Sequence, residues 1–133
     1  MKKTLILLLA LSGFAQADDE TYYAYYGIAT TNPPAVVAAM DKFNASVCGQ
    51  KTESTVALMS ETFNGGEPST HTFVVTYNGS KVLDETLATL STCPDYPTFL
   101  TEMAEVSVPT EQNLVKKVYE QGDWTQDTVF AVF

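Results

Sequence analysis

The stretch ALMSETFNGGEPSTHTFVVTYNG, residues 57–79, constrains the fold more than any other part of the chain. Two runs of strand-like alternation flank Asn64-Gly65-Gly66-Glu67-Pro68, a cluster of residues that reverse a chain. The first run extends from Thr55 to Phe63 and the second from Thr70 to Tyr77. Side chains alternate along a strand, so His71, Phe73, Val75 and Tyr77 share one side of the second run and Thr72, Val74 and Thr76 the other. An isolated hairpin is marginal in water, so its neighbours in the chain decide the fold.

Both flanks change to helical spacing. Upstream, Asn32 is placed to cap a helix with Pro33 at its first position, Val36, Val37, Met40, Phe43 and Val47 recur at the helical period, and Gly49 is its expected stop. Downstream, Asn78-Gly79 ends the hairpin and Ser80 is placed to cap a helix carrying Val82, Leu83, Leu87 and Leu90. Cys93-Pro94-Asp95-Tyr96-Pro97 interrupts that helix, and the stripe restarts at Phe99, Leu100, Met103 and Val106. Two further strands complete the set. Thr21–Ala29 is dense in tyrosine, with Tyr22, Ala24, Tyr26 and Ile28 on one face and Tyr23 and Tyr25 on the other; Asn113–Tyr119 is the expected last strand. The order predicts an α+β, ferredoxin-like βαββαβ fold: a four-stranded antiparallel sheet with helices on one face and an opposite face in need of a partner.

Over residues 20–120 this order, the hairpin quoted above and the later stretch CPDYPTFLTEMAEV resemble the dimeric α/β-barrel superfamily, which includes the antibiotic-biosynthesis-monooxygenase-like domains. The resemblance implies two units paired sheet against sheet into a barrel, either as a homodimer or with a second in-chain repeat. The matched stretches are structural elements, so no catalytic residue is carried over with them. A further match lies within the chain itself. Aligned on Thr21 and Thr128, acid-Thr-Tyr-Tyr-Ala-Tyr-Tyr corresponds without a gap to acid-Thr-Val-Phe-Ala-Val-Phe. Residues 123–133 are therefore expected to be a linker and the first strand of a truncated second repeat, after a ferredoxin-like domain at 18–122; the alternative is a fifth strand of the same sheet.

Residues 1–17 have the form of a bacterial signal peptide. Lys2 and Lys3 precede an apolar run from Leu5 to Leu11, and Ala15-Gln16-Ala17 is a small-x-small cleavage site. The apolar run is far shorter than the roughly 20 residues needed to cross a bilayer, so no membrane association is expected after cleavage. The expected location is the periplasm or the medium. The whole chain carries a formal charge of −9 and contains no arginine, and cleavage removes two lysines but no acid. Binding a phosphate backbone relies on clustered Lys and Arg, so nucleic acid is not an expected partner. The acids are scattered and lack the spacing of a calcium loop, which favours a solvated surface over a metal site.

In an oxidising compartment the two cysteines, Cys48 and Cys93, are expected to form a disulfide. Two Cys and one distant His are not a zinc set, and no metal or cofactor is expected. His71 is the sole histidine, so no arrangement that needs two can form. Candidate catalytic residues are His71, Tyr77 and Tyr22, and candidate ligand-binding residues are Tyr22, Phe73 and Tyr77. A lone histidine at a strand end is commonly structural. Strand aromatics, here Tyr22, Tyr23, Tyr25, Tyr26, Phe63, Phe73, Tyr77, Tyr119 and Trp124, commonly fill a seam between sheets, although they can also floor a cavity for an apolar molecule. Two functional readings follow. The first is an exported non-catalytic module that binds a small apolar ligand or a protein partner. The second, implied by the resemblance alone, is a cofactor-independent monooxygenase-like enzyme acting on an aromatic small molecule.

Overall fold

A computed structural model describes residues 20–119 and 121 of the chain. The expected leader at 1–17, the connection at Gly122-Asp123-Trp124 and the repeat-like tail through Phe133 lie outside the described residues. The elements run β1 (Thr21–Ala29), α1 (Pro33–Asn44), a short 3-10 turn (Gly49–Lys51), β2 (Thr55–Ser60), β3 (His71–Asn78), α2 (Ser80–Thr92), α3 (Asp95–Val106) and β4 (Val108–Lys116). The sheet order is β2-β3-β1-β4, with every neighbouring pair antiparallel. This is the expected ferredoxin-like α+β fold, its second helix split in two.

Register assigns the faces. Tyr22, Ala24, Tyr26 and Ile28 lie opposite Tyr77, Val75, Phe73 and His71, so these eight residues share one face. That face carries the helices: Ile28 and Phe73 pack with Val36 and Ala39 of α1 and Met103 of α3 in a buried core. The other face presents Tyr23 and Tyr25 beside Val74 and Thr76 of β3 and Val115 of β4. Among the described residues no helix covers it. A second cluster, Phe43, Cys48 and Cys93 with Leu90, Tyr96 and Phe99 against it, joins the ends of the helices. The Cys48–Cys93 disulfide runs through this cluster and links the turn after α1 to the break between α2 and α3, Cα to Cα 5.9 Å.

Several boundaries differ from expectation for physical reasons. Helix α1 stops at Asn44, and Gly49 instead opens the 3-10 turn. The N-cap of α2 is Gly79, at φ 108°, a conformation that side chains resist; Ser80 is the first helical residue. Helix α3 starts at Asp95, because Pro97 falls within its first turn, where a missing N–H costs nothing. Strand β2 ends at Ser60, leaving Phe63 97% exposed in the hairpin loop. Strand β4 begins at Val108 and ends at Lys116, earlier than expected at both ends. Pro109 is tolerated there because β4 is an edge strand.

Pairing of β4 with β1 slips between Tyr26 and Ile28, which makes a bulge around Gly27. A Cβ on Gly27 would stand 2.5 Å from Thr110 Oγ1 and 2.9 Å from Glu111 Cγ, so β4 can approach this closely only because residue 27 has no side chain. At the same end of β1, Thr30 donates through Oγ1 to the Val106 carbonyl at 2.7 Å, and its backbone N–H donates to Thr70 Oγ1 at 3.0 Å. The first bond fastens the end of α3 to the sheet, and the second ties the end of β1 to the start of β3.

Candidate active site between sheet and helices

The helix-side residues of β1 and β3 do not fill all the space beneath the helices. They leave a cavity of about 400 Å³ whose sheet wall carries Tyr26, Phe73 and Tyr77 and whose helix wall carries Phe43, Tyr96 and Phe99. Phe43 and Phe99 lie 4.8 Å apart between ring centroids, and Tyr96 stacks 6.1 Å from Phe99. These distances suit aromatic pairs and keep the helix wall rigid. Met40, Leu90 and Met103 add apolar surface, while Thr86 of α2 and Gln112 of β4 add hydrogen-bonding groups.

Three phenols, of Tyr26, Tyr77 and Tyr96, add to the polar groups of this space. Burial pushes the Tyr77 phenol well above its ordinary range, and the neighbouring Tyr26, through charge and a hydrogen bond, and then Tyr96 push the same way. Tyr96 is also raised, by burial first and by Tyr26 second. Tyr77 therefore stays protonated at physiological pH. It can polarise a ligand oxygen, but it is no general base. The sulfurs of Cys48 and Cys93 lie near the Asp95 carboxylate, yet each is committed to the other, so this trio is not a metal ligand set.

The candidate residues separate in space. Phe73 and Tyr77 come together in the cavity wall. Tyr22 pairs directly across from Tyr77 but lies outside the wall, and its hydroxyl donates to Glu20 Oε2 at 2.7 Å. His71, half-buried at the start of β3, also lies outside the wall; its Nδ1 is 3.0 Å from Thr70 Oγ1. Among the remaining aromatics, Tyr26 lines the cavity, whereas Tyr23 and Tyr25 sit on the opposite face and Phe63 and Tyr119 are exposed. Trp124 lies outside the described residues. Phe43, Tyr96 and Phe99 were not among the candidates: Phe43 and Phe99 lie in helical stripes, where aromatic residues carry the same signal whether they fill a core or line a hollow, and Tyr96 lies in a segment expected to break a helix but found in the first turn of α3.

No protein-family model matches the chain, and no curated protein matches it in sequence. Solved structures do match. SnoaB, a cofactor-independent oxygenase from Streptomyces nogalater, superposes with a TM-score of 0.55 at 12% identity, over 79% of this chain and 99% of that one. A nipsnap family protein of unknown function from Agrobacterium tumefaciens gives 0.55 at 13% identity, over 77% and 90%. A dimeric ferredoxin-like protein of unknown function from Thermobifida fusca gives 0.45 at 12% identity, over 74% and 90%. At these identities the likeness is one of fold alone: the chain has the ferredoxin-like α+β architecture, and the superposition extends over most of its length.

Proposed function

We propose that this protein is an exported, paired α/β unit that binds a small apolar ring molecule in the cavity between its sheet and its helices. One observation carries the reading: aromatic side chains from both layers surround about 400 Å³ of space, within the range of small-molecule sites. The disulfide is in keeping with export, because such bonds persist in oxidising compartments. Calorimetric titration with a neutral bicyclic phenol such as 1-naphthol tests it. Saturable binding is expected, weakened severalfold in Phe73→Ala and unchanged in His71→Ala. The absence of saturable binding to the wild-type protein overturns the reading.

A cofactor-independent oxygenase is the second reading, and the convergence of phenols in the cavity favours it. In such a reaction O2 is the oxidant and the substrate supplies the electrons, so the chain must position the substrate and stabilise the developing oxyanion. The Tyr26–Tyr77 phenol pair, held neutral, is suited to donate to that oxyanion by exchanging its internal hydrogen bond for it. Cofactor-free oxygen uptake with a hydroxylated aromatic substrate, slowed in Tyr77→Phe more than binding is weakened, distinguishes an enzyme from a binding module.

A further inference from the structure

The charge of the ligand can be inferred from the cavity, given the ligand-binding reading above. Among the described residues that wall it there is no Lys, Arg or His, and Glu111 is the one formally charged residue. An anion entering this space would find hydroxyl and amide donors but no counter-charge, with Glu111 to repel it, so its burial costs more than that of a neutral molecule of the same shape. A cation meets the opposite situation. The negative faces of aromatic rings attract it, and Tyr26, Tyr77 and Tyr96 present phenolic oxygens that can accept hydrogen bonds from an ammonium group.

The surface reinforces this preference. The chain carries 16 acids against 7 lysines and no arginine. Lys42, Lys81 and Lys116 are paired with Glu102, Glu85 and Glu20. The surplus is negative, and a field of that sign concentrates cations near the molecule and repels anions. We propose that the cavity selects an organic cation, an amine or quaternary ammonium group on an apolar ring body, over neutral and anionic molecules of the same shape.

The test is a calorimetric titration of the full chain with three probes that share a ring system. A naphthyl trimethylammonium ion, its tert-butyl isostere and naphthoate differ in charge and little in size. The cation is expected to bind roughly ten-fold more tightly than the isostere, as cation–π contacts in a desolvated site allow. Naphthoate should bind most weakly, and rising salt should narrow the gap between cation and isostere. Tyr96→Leu should narrow the affinity ratio between cation and isostere, and Tyr96→Phe should keep that ratio. Equal binding of cation and isostere, or tightest binding of naphthoate, overturns the charge preference and leaves the ligand cavity standing. Failure of all three probes to bind overturns both.

Discussion

Tyr77 is 2% exposed, and a hydrogen bond to Tyr26 holds its hydroxyl. Its phenol is raised above the ordinary 10.0 by burial first and by Tyr26 second. Tyr25 and Tyr96 move in the same direction, again chiefly through burial. The sign for stability follows from linkage. A raised value in the fold means that the folded state keeps its proton where the unfolded chain has lost it, so this contribution is complete below the unfolded value and is lost as pH rises through the folded one. Stability is therefore expected to fall as pH climbs beyond the ordinary phenol value of 10.0. Absorbance of the phenolate should rise in two stages: exposed tyrosines first, and Tyr77 only together with loss of the far-ultraviolet circular dichroism. Full ionisation of all tyrosines in a protein that remains folded would contradict the burial assigned to Tyr77.

Single elements explain why the cavity holds its shape. Helix α1, the turn at Gly49 and the break between α2 and α3 are gathered at the Cys48–Cys93 disulfide, and the residues packed around it include Phe43, Leu90, Tyr96 and Phe99, which also wall the cavity. The bond thus braces one side of the site. In the chain-entropy account, a crosslink spanning a sequence separation of 45 contributes about 3–4 kcal/mol. Replacing both cysteines, Cys48→Ala with Cys93→Ala, is expected to lower unfolding free energy in urea by about that amount and to weaken ligand binding. Native protein measured without reductant should weigh two hydrogen atoms less than the reduced form. Two freely alkylated thiols in unreduced protein would remove the brace from the account.

For the whole molecule, the open sheet face is the feature that calls for a partner. Tyr23, Tyr25 and Val74 lie together there beside Val115, which is 42% exposed, and among the described residues no helix packs over them. A contiguous apolar face on a sheet marks a missing neighbour. A second copy placed face to face would bury the same residues on both units, which is the self-complementary geometry of a two-fold dimer. The protein is expected to sediment as a dimer at micromolar concentration, and Tyr25→Lys is expected to yield a folded monomer. A wild-type monomer across that range would exclude the paired unit, whatever residues 123–133 contribute.

The order of the elements, the hairpin, the two faces of β1 and β3 and the cysteine pair were legible in the residues themselves. Each depends on a local rule: period-two alternation, helical spacing, turn chemistry, or the oxidising compartment expected from the leader-like residues 1–17. Boundaries were less legible where pairing overrode local preference. Strand β4 sits where β1 holds it, with a bulge that Gly27 permits, and no short-range pattern encodes a contact between residues so far apart in the chain. The candidate site divides the same way. Phe73 and Tyr77 were singled out for their shared phase on one strand, while His71 and Tyr22, of the same phase, sit outside the cavity wall because phase says nothing about position along the strand relative to the helices. Periodicity determines that Phe43 and Phe99 face inward. Whether inward-facing rings meet and close the core or stand apart around a hollow depends on the spacing between sheet and helices, which packing across the whole fold decides.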